Sequence, residues 1–227
     1  MFETFPQQIN SLLNASGVFL KDGGPSIWAI AALSVLGLTV VLWKLWRLVV
    51  IGAWGGRRVA QALPVLEAGN TQQAQRMIRQ KRGVRSRFLN AALTARETLP
   101  LHDAREETTR IAKTHLNAAS AGLRILELIS TIAPLLGLLG TVLGMIAAFQ
   151  ALQDSGSRAD PAILAGGIWE ALLTTAAGMA VAIPASFALT WFESVVDRIR
   201  QDFEDIAARV FVAESKSTAA AMPLAAE

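Results

Sequence analysis

The sequence has no cysteine among its 227 residues. That excludes disulfides, thiolate chemistry and cysteine-ligated metals, and leaves the compartment open. Histidine is almost as scarce: His102 and His115 are the two present. They lie far apart in a basic segment, show no metal-ligand spacing and read as solvated surface residues, so neither a metal nor a cofactor is expected. No Ser/His/Asp arrangement, glycine-rich phosphate loop or pair of catalytic carboxylates occurs, which argues against an enzyme. The first 25 residues lack the basic start, apolar core and cleavage site of a secretory signal, so the first apolar stretch reads as an uncleaved anchor. Charge is sparse as well, at 17% of residues against 52% hydrophobic. That balance is too apolar for an ordinary soluble domain of this length.

Three stretches supply the apolar excess: Ile27 to Trp43, Leu128 to Leu152 and Ala162 to Phe192. Each approaches or exceeds the roughly 20 residues an apolar helix needs to cross a bilayer. The first is the shortest, and it extends to about Ile51 if Lys44 and Arg47 snorkel to the headgroups. Trp28 then sits at one interface and Trp43, Trp46 and Trp54 at the other. The expected fold is an all-α integral membrane protein with three transmembrane helices, two of them extended into the cytoplasm. The expected segments are an outward-facing start at 1–25, spans at 26–51, 128–152 and 162–192, a cytoplasmic helical segment at 52–127, an outward-facing link at 153–161 and a cytoplasmic helix with a flexible tail at 193–227.

Orientation follows from the basic residues. Residues 52–125 carry 13 Lys/Arg against 5 Asp/Glu, while the link between the second and third spans carries Asp154, Arg158 and Asp160. Positive charge collects on the cytoplasmic side, so the N-terminus and the short link are expected to face outward and the C-terminus to return to the cytoplasm. The basic excess is topogenic, and no nucleic-acid partner is implied.

Within 52–127, Pro64, Gly69, Gly83 and Pro100 punctuate helices. Asp103 suits a helix cap, and the pattern after it meets no strong breaker before Pro134, so the second span is expected to begin as a soluble helix. Past the third span, Val195, Val196, Ile199, Phe203, Ile206 and Val210 recur at three- and four-residue steps, a stripe that packs on neighbouring helices. The last dozen residues, rich in Ala and Ser, read as disordered. Asp160-Pro161 suits the start of the third helix.

Glu170 is the exceptional residue. It lies about nine residues into the third span, roughly 13 Å along the axis, and Ala171 to Phe192 after it carry no charge. An ionised carboxylate at membrane depth costs roughly 2.5–3.5 kcal/mol or more, so such groups are rare and face a helix bundle or a water-filled path. The competing reading is a glutamate near a helix end whose carboxylate reaches the interface. Steps of four, seven and eleven put Thr174, Ala177 and Val181 on or near its face. Gly137, Gly140 and Gly144 in the second span, with Gly178, Ala182 and Ala185 in the third, are spaced for close helix packing. Thr141, Thr174 and Thr175 either bond local backbone or serve a polar path. Pro134 and Pro184 each free a carbonyl, which either bends the helix or offers a polar group.

The run Ile132-Ala133-Pro134-Leu135-Leu136-Gly137-Leu138-Leu139-Gly140-Thr141-Val142-Leu143-Gly144-Met145, followed by Gly167-Ile168-Trp169-Glu170-Ala171-Leu172-Leu173-Thr174-Thr175-Ala176-Ala177-Gly178 and Ala182-Ile183-Pro184, resembles the ExbB/TolQ branch of the MotA/TolQ/ExbB proton-channel family. The likeness is strong over about 124–192 and mainly topological before that. Overall likeness favours the ExbB side over TolQ, and three spans argue against the four-span MotA. The resemblance implies a homo-oligomer, a pentamer, around a dimer of an ExbD/TolR-like single-span protein whose aspartate works with the channel subunit. It implies a TonB/TolA-like partner driven by the proton-motive force, within membrane lipids. It matches the family's membrane glutamate to Glu170 and its pathway threonines to Thr141 and Thr175. Helical geometry instead sets Thr174 beside Glu170, since five residues turn a helix by about 140°. In a dewatered cavity a carboxyl favours its neutral form until a partner charge, water or cation offsets the desolvation. Glu170 would then alternate between protonated and charged. The alternatives are a TolQ-like subunit of the Tol-Pal envelope system, a non-conducting membrane scaffold, and a solute transporter, which three spans without an internal repeat disfavour.

Overall fold

The structure is a computed structural model that describes residues 24–78, 83–154 and 161–221. Every regular element among them is a helix: α1 (Gly24–Ile51), α2 (Arg57–Glu67), α3 (Thr71–Ile78), α4 (Val84–Thr98), α5 (Leu101–Ser120), α6 (Leu123–Asp154) and α7 (Pro161–Ala221). The chain is an all-α integral membrane protein with three helices long and apolar enough to span a bilayer, within Gly24–Ile51, Leu101–Asp154 and Leu164–Val212. In each, 22% of the most apolar window is buried by the chain itself. The remainder, including Leu38, Trp46, Leu138, Val142, Phe149, Ile183 and Phe187, is exposed apolar surface that lipid or other chains must cover.

The helices form two units. The first takes the described residues to Leu42 together with Arg124–Leu189. Small residues let its helices approach. Ala133, Gly137, Gly140 and Ala148 of α6 are buried, as are Ala171, Thr174, Gly178, Ala182 and Ala185 of α7. The second unit takes Trp43–Leu123 and the chain from Thr190 onward. Its core is built from the amphipathic stripe of α7, with Val195, Val196, Ile199, Phe203, Ile206 and Val210 all buried. Val59, Leu63 and Leu66 of α2 and Phe88, Leu89 and Leu93 of α4 are buried in the same unit. Phe88 and Phe203 stack with ring centroids 4.1 Å apart.

Several local expectations change. Pro64 lies inside α2 and does not end it; the helix ends at Glu67 with Ala68 as its cap, and Gly69 just beyond has a φ of 87° that suits glycine. Residue Asp103 is in the first turn of α5, whose cap position is Pro100. The helix expected to run unbroken towards Pro134 stops at Ser120, turns through Ala121 (ψ 134°) and Gly122 (φ 87°), and restarts as α6. Lys44 does not snorkel. It is fully buried and donates from Nζ to the carbonyls of Ala119 and, at 2.6 Å, of Ala121. These are C-terminal carbonyls of α5 that have no helical partner, and a cation suits that end of a helix. By contrast the Arg47 guanidinium lies 5.0 Å from the Trp43 ring centroid. His102 is exposed, as expected, but His115 is half-buried against the edge of Phe203, 6.2 Å between centroids. Burial, and then the charge of Arg87, push His115 below the usual histidine range. α7 begins at Pro161 and continues to Ala221, through part of the tail expected to be disordered. Asp160, the expected cap, lies outside the described residues.

Candidate functional site

The site is built on a seam between α6 and α7 in the first unit, and glycine is what closes it. A Cβ on Gly137 would stand 3.0 Å from the Thr175 Cα and 3.1 Å from the Thr174 carbonyl. One on Gly140 would meet the Thr174 Oγ1 at 2.6 Å, and one on Gly144 the Ala171 Cβ at 3.2 Å. From the other side, a Cβ on Gly178 would stand 2.5 Å from the Ala133 carbonyl, and one on Gly167 would collide with Ala148. Every step along one helix is answered by a step back along the other, the register of an antiparallel pair. Real Cβ atoms are not found under 3.0 Å, so an alanine at Gly140 or Gly178 forces the helices apart. Ala133, Ala148, Gly167 and Ala171 extend the seam past the residues that sequence spacing singled out. Their signal was available in the continuation of the four-residue step through Ala148.

The threonines divide. Thr174 is buried and donates to the Ala171 carbonyl at 2.7 Å, with the Gly137 carbonyl 3.4 Å away. Thr175 donates across the seam to that same Gly137 carbonyl at 3.2 Å. Both neighbours on α7 therefore reach one carbonyl oxygen of α6. Thr141 is partly exposed and bonds its own helix, at the Leu138 carbonyl, 2.7 Å. Ser26 of α1, which sequence reading did not single out, is buried beside this cluster, its Cβ 3.2 Å from where a Cβ on Gly140 would lie.

Glu170 lies one turn before Thr174 and is partly buried. One carboxyl oxygen is 3.9 Å from the position a Cβ on Gly24 would take, at the start of α1. Glu170 forms no ion pair or hydrogen bond with another described residue. Around it Trp169 and Leu172 are among the most exposed side chains of α7. Pro134 and Pro184 lie inside their helices. Pro184 lines a separate apolar cavity of about 250 Å³ with Gly37, Val41 and Ile129. No group of three or more His, Asp or Glu side chains is arranged to hold a metal among the described residues.

The model of the MotA/TolQ/ExbB proton channel family matches residues 80–205, a range that contains the whole α6–α7 seam and Glu170. A putative biopolymer transport protein ExbB homolog of Methanothermobacter thermautotrophicus is 34% identical over 181 residues, covering 77% of this chain and 63% of its own. The biopolymer transport protein exbB1 of Vibrio cholerae is 50% identical over 66 residues, 29% of each chain. The Tol-Pal system protein TolQ of Haemophilus influenzae is 40% identical over 78 residues, 34% of each chain. The chain thus spans less than two thirds of the length of each of these relatives.

Proposed function

The chain belongs to the MotA/TolQ/ExbB proton channel family, and from that membership we propose that it is the channel subunit of an inner-membrane motor that uses the proton-motive force to energise TonB-dependent outer-membrane transport. It is a multi-pass inner-membrane protein of the ExbB/TolQ branch. In the proposed assembly, copies of the chain form a pentamer around an ExbD-like single-span partner, and a TonB-like protein takes up the work. The N-terminus and the 153–161 link face the periplasm, and the C-terminus faces the cytoplasm.

The observation that carries the reading is Glu170. It is a carboxyl at membrane depth, partly exposed, beside a glycine-closed seam, with no ion partner among the described residues. A carboxylate in hydrocarbon is not stable without a cation, a polar partner or water, so its complement lies in another chain or a water-filled path. Glu170 takes a proton from the periplasmic side and releases it inward. Thr174 and Thr175, with the Gly137 carbonyl they share, form the next polar step. Thr141 lines the path at its own turn of α6, and Gly137, Gly140, Gly144, Gly178 and Ala182 keep lipid out of it. One charge crossing the membrane releases about 2.3 kcal/mol per 100 mV, so several protons per stroke suffice to displace a partner helix.

The test co-expresses the chain with its single-span partner and compares gradient-dependent siderophore uptake for wild type, Glu170→Gln and Glu170→Ala at matched membrane levels. A proton carrier loses uptake with both variants while the complex stays assembled. A scaffold, in which Glu170 only donates or accepts a hydrogen bond, tolerates Gln better than Ala. Likeness to TolQ favours one further comparison, because a Tol-Pal subunit restores envelope integrity and leaves siderophore uptake unchanged.

A further inference from the structure

Two helix N-termini meet immediately after α1 ends at Ile51, and neither has an anion of its own. The turn begins at Gly52, whose φ of 69° only glycine adopts without strain. Gly55 N–H donates to the Gly52 carbonyl at 3.0 Å and Gly56 N–H to the Trp54 carbonyl at 3.1 Å, and α2 then starts at Arg57. α4 starts at Val84 from its cap residue Gly83. The two loops touch: a Cβ on Gly52 would stand 3.0 Å from the Gly83 Cα, so no side chain separates them. Both cap residues are glycine, neither helix has a side-chain cap, and neither first turn contains an acidic residue. The first helical bonds run from Ala60 to Gly56 and from Arg87 to Gly83. The earlier N–H groups of both helices are therefore left without a helical acceptor, each end carrying about half a positive charge.

Between them is a cavity of about 540 Å³ lined by Gly52, Trp54, Gly55, Arg57, Arg58, Gly83 and Ser86. Ser86 is the independent sign that something belongs there. It is 3% exposed, lines the cavity and has no hydrogen-bond partner among the described residues, although buried hydroxyls are ordinarily paired. Arg85 is otherwise engaged, by Asp202 and the Ala53 carbonyl, which leaves Arg57 and Arg58 as the cations lining the cavity among the described residues. Main-chain N–H groups, a hydroxyl and two guanidinium groups make a donor set for a phosphate.

We propose that this cavity binds the phosphate of an anionic lipid headgroup from the leaflet that α1 leaves at Ile51. A lipid is favoured over a soluble phosphate by position. The apolar helix runs to Ile51, one residue before the first lining residue. Trp54 is 55% exposed and pairs with Trp191, 6.3 Å between centroids, as headgroup-level aromatics do. The volume also admits a glycerol group beyond the phosphate.

The full chain, purified in neutral detergent, is titrated with short-chain phosphatidylglycerol, with phosphatidylcholine of the same chains and with inorganic phosphate, and thermal unfolding is followed by tryptophan fluorescence. Phosphatidylglycerol should raise the midpoint saturably and phosphatidylcholine should not. Arg57→Gln with Arg58→Gln should weaken half-saturation at least tenfold, and Arg110→Gln, on exposed α5, should leave it unchanged. Ser86→Asp supplies the first turn with its own carboxylate, which favours the helix, and should abolish the response in a folded protein. Equal responses to the two lipids, or unchanged half-saturation in Ser86→Asp, would overturn the site. A response to inorganic phosphate at the same concentration as the lipid would overturn the lipid assignment and leave a soluble phosphate as the ligand.

Discussion

At the scale of single residues, placement matters more than residue type. Lys44 and Arg47 stand three apart near one end of an apolar helix, and sequence alone gives both the same task. The structure separates them, because the Lys44 side chain meets the open C-terminus of α5 at Ala119 and Ala121. That partner is more than 70 residues away in the chain, so no local pattern announces it. Lys44→Met should keep the apolar stem while leaving those carbonyls unpaired, at a cost of about 1–3 kcal/mol. A lower unfolding midpoint in detergent, partly recovered by Lys44→Arg, is the expected result. An unchanged midpoint would remove Lys44 from the account of how α5 ends. Glu170 shows the opposite case. A charge before 22 uncharged residues is visible without coordinates, yet its neighbour Gly24 and the buried Ser26 come from a helix that only folding brings near.

At the scale of elements, what was legible is what helical periodicity encodes. The stripe from Val195 to Val210 and the glycines of α6 lie on the faces their spacing predicted, because steps of three and four residues fix azimuth. The break at Ala121-Gly122 was not legible. An isolated glycine inside a helical pattern is tolerated, and nothing local separates it from one that adopts a left-handed turn. Pro64 misled in the other direction, since α2 continues through it. No sequence pattern marks 52–56 as a site, although Gly52, Trp54 and Gly55 line the cavity with Arg57, Arg58 and Ser86. The seam predicts its own cross-link. With no native cysteine in the chain, Gly144→Cys combined with Ala171→Cys, whose Cβ atoms would stand 3.2 Å apart, needs only a small shift to reach disulfide spacing and should oxidise within one molecule and shift its electrophoretic mobility. Adding Gly178→Leu should suppress that bond by wedging α7 from Ala133. Cross-linking only between molecules would mean that these two positions face different copies.

At the scale of the whole molecule, the distribution of charge predicts sides and the apolar surface demands company. The basic residues of 52–125 favour the cytoplasm. In intact cells, therefore, an impermeant maleimide should label Asp154→Cys, and should label Lys113→Cys only after permeabilisation. The reverse pattern would invert the topology and with it the direction assigned to Glu170. The large share of each span left exposed by a single chain accords with an assembly in which lipid and further subunits complete the bundle. In the proposed assembly Glu170 would find the partner that the described residues of its own chain do not supply. The most direct measurement of this account is infrared difference spectroscopy of the channel–partner complex in lipid bilayers, swept in pH, for wild type and Glu170→Gln. A protonated-carboxyl band that appears and disappears with pH in the wild type and is missing from Glu170→Gln is the predicted result. Identical difference spectra from two intact complexes would contradict it, because Glu170 would then exchange no proton.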